Sequence, residues 1–150
     1  MGSYRSTKKN GKSDEGLTES ENEKIALKII DAYNSQNVDA YVDYFSDNVD
    51  VWWPDGATPD KEELRTEFAE IIVAFPDRRF DLVRIVSTDK TVIAECVVKG
   101  TNRGELFGMS ATNNSIEMPM VHIYDFEAGK VKRWRSYANF QTMMQQLSSE

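Results

Sequence analysis

Apolar residues recur along the first half of the chain at three- and four-residue intervals, and along the second half at every other position. Thr18-Glu19-Ser20-Glu21 has the form of a helix capping box, and Ile25, Ala26, Ile29, Ile30 and Tyr33 follow at helical spacing, which predicts a first helix. After the polar break Asn34-Ser35-Gln36-Asn37, the positions Val38, Tyr41, Val42 and Phe45 predict a short second helix ending at Asp47-Asn48. Val49-Asp50-Val51-Trp52-Trp53 reads as a strand stopped by Pro54-Asp55-Gly56. A third helix starts near Thr58-Pro59-Asp60, buries Leu64, Phe68, Ile71, Ile72 and Phe75, and closes at Pro76.

From Phe80 the period becomes two, over Phe80 to Ser87, Thr91 to Lys99, Ser115 to Phe126 and Val131 to Ala138. Asp89-Lys90, Asn113-Asn114 and Ala128-Gly129-Lys130 supply the turns between these segments, so the four form an antiparallel meander. Phe140, Met143, Met144 and Leu147 predict a short closing helix. Three helices followed by a meander is an α+β pattern: a curved antiparallel sheet backed on one face by helices, with its concave side available for a pocket.

Composition narrows what that pocket serves. The 150 residues are enough for one domain and its core. Residues 1–17 are polar, with Arg5, Lys8, Lys9 and Lys12 against Asp14 and Glu15, and read as a disordered N-terminal arm before a domain spanning 18–150. The net charge of −7 disfavours nucleic acid and anionic membrane surfaces as partners. There is no apolar run of about 18 residues to span a bilayer and no apolar N-terminal leader, so a soluble cytoplasmic protein is expected. The lone Cys96 sits in an apolar run and reads as a buried structural thiol. No metal-binding, dinucleotide or phosphate-loop motif is present, so neither a metal nor a cofactor is expected.

Several segments are familiar. Phe75-Pro76-Asp77-Arg78-Arg79-Phe80, the run from Gly100 to Met109, Ile116-Glu117-Met118-Pro119, Val121-His122-Ile123-Tyr124, Gly129-Lys130-Val131 and Trp134-Arg135-Ser136-Tyr137 together resemble the SnoaL-like polyketide cyclase family of the nuclear transport factor 2-like superfamily. The resemblance covers roughly residues 20–147 and implies a cone-shaped fold around one apolar pocket. It also implies a homodimer through the convex sheet face, with which outward Ile93 and Val97 beside Glu95 and Lys99 are compatible.

The resemblance places the His122 face, with Met118, Met120 and Tyr124, on the cavity, together with Trp134, Ser136 and Ala138. Ala94, Cys96 and Val98 should line the interior from the middle strand. In the cyclases a catalytic aspartate follows the histidine by fourteen residues, and that position here is Ser136. The epoxide hydrolase positions fall at Cys96, Val98 and Ser136, and those of the ketosteroid isomerases at Trp53 and Val121. No such carboxylate is retained, and a serine hydroxyl is too weak an acid near neutrality to replace one.

His122, the sole histidine, is then either an acid/base titrating near neutrality or a core histidine bonded to a backbone carbonyl. Asp50 is a second candidate base if the face it shares with Trp52 turns inward, and a surface carboxylate if it turns outward. One of Trp52 and Trp53 should form pocket wall while the other meets helices or a partner subunit. Tyr33 and Tyr41 could donate phenolic hydrogen bonds to a substrate, with Trp134, Ser136, Met118 and Met120 completing the binding surface. Arg133 and Arg135 alternate with Trp134 and should face away from the cavity.

The expected function is a cofactor-independent enzyme of cyclase, isomerase or hydrolase type, moving a proton on a hydrophobic oxygenated small molecule such as a polyketide or terpenoid. The alternative is a noncatalytic ligand-binding or association module of the same fold.

Overall fold

The computed structural model describes residues 6–7 and 20–149. Helix α1 (Glu21–Asn34) is capped by Ser20, whose side chain accepts from the Glu23 amide, so the cap lies two residues beyond the Thr18 frame read from sequence. Ser20-Glu21-Asn22-Glu23 satisfies the same four-residue pattern, and its Glu23 carboxylate is buried, accepting from Ser87 Oγ at 2.5 Å. Thr18 lies outside the described residues.

Helix α2 (Val38–Asp43) is shorter than its periodicity implied, because Phe45 opens strand β2 (Phe45–Trp52). Phe45 is fully buried beside Tyr41, which is why it matched the helical spacing, yet its backbone registers with Val131. Helix α3 (Lys61–Ala74) begins with a complete capping box between Asp60 and Glu63.

Strands β3 (Arg79–Ser87), β4 (Thr91–Thr101), β5 (Ser115–Glu127) and β6 (Lys130–Ala138) form the expected meander, and α4 (Phe140–Leu147) closes the chain. Burial alternates strictly along β5, with Ile116, Met118, Met120, His122, Tyr124 and Phe126 inward.

The α+β class is the one expected, but the sheet is mixed where sequence predicted it wholly antiparallel. With β1 the two-residue strand Ser6–Thr7, its order is β1-β3-β4-β5-β6-β2, and β2 runs parallel to β6 along the edge. No hairpin ties β2 to β6, since α3 and the whole meander intervene, so nothing imposed the antiparallel sense. The other edge carries β1 (Ser6–Thr7), parallel to β3 at Ile85 and Val86. These two residues of the arm expected to be disordered are therefore paired, and the rest of 1–17 lies outside the described residues.

Helices α1, α2 and α3 cover one face, with Ala26, Ile29, Ile30, Tyr41, Val42, Leu64 and Phe68 joining the core against the sheet. Across the sheet, Ala94, His122 and Ser136 lie in one register row, so small residues flank the imidazole on both neighbouring strands. Cys96 is fully buried in the next row, and burial pushes its thiol up to about 12, as fits a structural cysteine. Among the described residues no helix is long and apolar enough to cross a membrane.

Candidate active site

A cavity of about 280 Å³ lies between the helices and the concave face of the sheet. Its lining includes Tyr33, Tyr41, Trp53, Met118, Met120, His122, Trp134 and Ser136, eight of the ten site residues read from sequence. Exposed Asp55, Glu70 and Phe107 belong to the same lining and mark its mouth.

Asp50 and Trp52 are not among the lining residues. The alternation of β2 sends Val49 and Val51 into the core, so Asp50 and Trp52 point the other way. Trp52 packs on Tyr137 with ring centres 5.3 Å apart, outside the cavity. Asp50 accepts from Arg135 at 2.9 Å and from Arg133 at 3.2 Å. The Arg135 hydrogen bond and the charges of both arginines hold its carboxyl below the usual range, the reverse of the raised value a buried base would need.

His122 is fully buried, and its surroundings determine its chemistry. Trp134 Nε1 donates to His122 Nδ1 at 3.2 Å, and Ser136 Oγ lies 3.3 Å from the same nitrogen. An indole N–H is only a donor, so Nδ1 accepts and the ring proton resides on Nε2. Desolvation, assisted by the Arg78 charge, pushes the imidazole down to about 3. In these surroundings the imidazole is held neutral, with the N–H of this tautomer on the nitrogen away from Trp134.

That N–H has no partner among the described residues, and it is one of four such atoms. Tyr33 Oη, Trp53 Nε1, Arg78 Nε and His122 Nε2 are buried without a hydrogen bond of acceptable geometry, and all four residues line the cavity. The Trp53 and Arg78 atoms can only donate, His122 Nε2 donates in the tautomer that Trp134 imposes, and the phenol can donate, so the set is matched to acceptor oxygens. Native proteins leave few buried polar groups unpaired, so four around one cavity suit the oxygens of a bound molecule or of water. Aromatic packing holds the donors in place: Tyr33 stacks on Phe80 at 4.0 Å and on Phe68 at 4.8 Å, and Trp53 meets Trp134 at 5.8 Å. The Arg78 guanidinium lies 5.6 Å from the Tyr33 ring centre. Burial nevertheless pushes the Tyr33 phenol up to about 12, keeping it protonated.

Sequence reasoning missed Arg78 and Glu67 as site residues. Arg78 falls in the connection between α3 and β3, where no periodicity assigns a side to a residue. Glu67 carried a usable signal, since it stands three residues after Leu64 and four before Ile71, on the apolar face of α3.

Among the described residues no cluster of three or more histidine, cysteine, aspartate or glutamate side chains could hold a metal. The family model of the SnoaL-like polyketide cyclases matches residues 23–147. The chain belongs to that family. Similar solved structures include IdmH from Streptomyces antibioticus, a proposed polyketide cyclase, at 21% identity and a TM-score of 0.74, covering 85% of this chain and 99% of that one. AclR from Streptomyces galilaeus, a proposed hydroxylase, is 19% identical with a TM-score of 0.76, covering 85% and 80%. A proposed SnoaL-like polyketide cyclase from Jannaschia sp. CCS1 is 15% identical with a TM-score of 0.79, covering 90% and 99%. At these identities the likeness speaks for the fold. No curated protein matches the chain.

Proposed function

We propose that this SnoaL-like protein is a cofactor-independent enzyme of cyclase or isomerase type that moves a proton on a hydrophobic, oxygenated small molecule of polyketide or terpenoid character. The observation that carries this reading is the set of four buried polar atoms without a hydrogen bond of acceptable geometry in a mostly apolar cavity. Aromatic and methionine walls favour a flat or alicyclic body, while His122 Nε2–H, Tyr33 Oη, Trp53 Nε1–H and Arg78 Nε–H hold its oxygens. Donors fixed before the substrate arrives stabilise negative charge as it develops on a carbonyl oxygen, so the neutral imidazole acts by hydrogen bonding.

The binding half of this reading is tested by titrating the protein with two-ring ketones, lactones and phenols and with hydrocarbons of the same shape, following tryptophan fluorescence. Oxygenated compounds should bind at least about tenfold tighter, the effect of one satisfied buried donor. Equal binding of the hydrocarbons would overturn the reading.

Ser136, where the cyclases carry an aspartate, favours a second reading as a noncatalytic ligand-binding module; it would bind the same compounds and turn none over. A homodimer through the outer sheet face, where Ile93 and Tyr137 are exposed, belongs to the proposal, as does a cytoplasmic location.

A further inference from the structure

The cavity holds its substrate's oxygens with donors, yet none of those donors can accept a carbon-bound proton. His122 has its basic nitrogen occupied by Trp134, and position 136 is serine. We propose that Glu67, on the inward face of α3, is the carboxylate that takes a proton from the carbon beside a substrate carbonyl whose oxygen the buried donors hold. This inference rests on the reading of the cavity given above.

Glu67 lines the cavity with its helix neighbours Leu64, Phe68 and Ile71 and is half-buried. No hydrogen bond or ion pair joins its carboxylate to the described residues, whereas Glu63 on the same helix is engaged in the capping box. The charged and titratable groups around it are Asp55 from the turn after β2, Glu63 and Glu70 from α3, and, within the same lining, Arg78, Tyr33, Tyr41 and His122. An acidic cluster alone would not mark a site. Here the unpartnered polar atoms of His122 and Tyr33, which are 0% and 6% exposed, lie in the same lining and independently call for a ligand. Desolvation, followed by the like charges of Asp55, Glu63 and Glu70, raises the Glu67 carboxyl to about 7, a value suited to both taking and returning a proton.

The step balances without a co-reactant. The C–H bond breaks, its proton passes to a Glu67 oxygen, and its electron pair becomes the carbon–carbon double bond of an enolate. The carbonyl π electrons move onto the oxygen facing the donors. Where a β,γ double bond extends the enolate to a dienolate, returning the proton to the γ-carbon moves that double bond into conjugation and isomerises the substrate. Where a second carbonyl is within reach, the enolate carbon bonds to it and the proton passes from Glu67 to the new alkoxide, closing a ring.

The test uses the full chain, β-tetralone as a carbon acid and β-naphthol as a mimic of its enolate. Proton–deuterium exchange of β-tetralone in D2O is followed by NMR, and β-naphthol binding by fluorescence. The wild type should accelerate exchange, with a rate rising as pH increases through about 7. Glu67→Gln should lose about 10²–10⁴-fold of that acceleration while binding β-naphthol within about threefold of wild type, and Glu67→Asp should retain part of the rate. Retained β-naphthol binding also shows that the variant has folded. If β-naphthol binds but exchange is absent in the wild type, or unchanged in Glu67→Gln, the role of Glu67 is overturned and the donor cavity stands. If the wild type does not bind β-naphthol, the donor reading fails and the assignment of Glu67 fails with it.

Discussion

Tyr33 is the residue at which the proposed hold on a ligand and the stability of the fold pull in opposite directions. Its hydroxyl is buried with the Arg78 side chain beside it but no hydrogen bond of acceptable geometry, so removing it should relieve a desolvation cost at the loss of at most a weak contact. Tyr33→Phe is accordingly expected to leave the protein as stable as before or more stable by up to about 1 kcal/mol, while weakening binding of ketones and phenols about tenfold. Thermal denaturation and fluorescence titration check the two effects separately, and a clear loss of stability would show that the hydroxyl has a structural partner. Asp50 is the contrasting case. It is half-exposed and paired with Arg133 and Arg135 at the surface, so Asp50→Ala should change stability by no more than about 1 kcal/mol and leave ligand binding intact.

At the scale of elements, the strands were the most legible part of the chain, because β4, β5 and β6 each bury one face and their alternation survives in the residue pattern. The direction of β2 was not legible, since pairing along a free edge leaves no mark on composition. The segment between β4 and β5 was also opaque. It has no apolar period, and its form depends on close contacts: Asn102 accepts from the Thr112 amide at 2.8 Å, and Phe107 and Gly108 turn at positive φ. A Cβ at Gly104 would collide with the Val73 carbonyl oxygen, so this segment is seated directly on the end of α3. Gly104→Ala should cost about 1–3 kcal/mol and shift Phe107 at the cavity mouth, seen as a lower melting temperature and altered ligand association rates.

For the whole molecule, the cavity couples stability to pH through two groups of opposite sense. His122 is pushed down to about 3 from an ordinary value of 6.5, so the unfolded chain binds the extra proton between these values. Its contribution is full above pH 6.5 and is lost as pH falls towards 3, by at most about 1.4 kcal/mol per pH unit. Glu67 is raised from 4.5 to about 7, so the folded protein holds the extra proton and stability declines as pH rises across that range. Glu67→Gln should therefore raise the melting temperature at pH 8 more than at pH 4. The eight site residues recovered from sequence lie on regular elements or directly after one, where parity or helical spacing assigns a side. What sequence could not supply was the protonation state of His122, which depends on Trp134 reaching across from the neighbouring strand.

That protonation state is open to one direct measurement. The chain contains a single histidine, so ¹⁵N NMR of the imidazole reports on His122 alone. A neutral ring protonated on Nε2 is expected throughout pH 5–8, with the Nε2–H signal moving when β-naphthol is added. A ring that titrates near 6.5, carries its proton on Nδ1 or ignores the ligand would contradict the donor cavity on which the account rests.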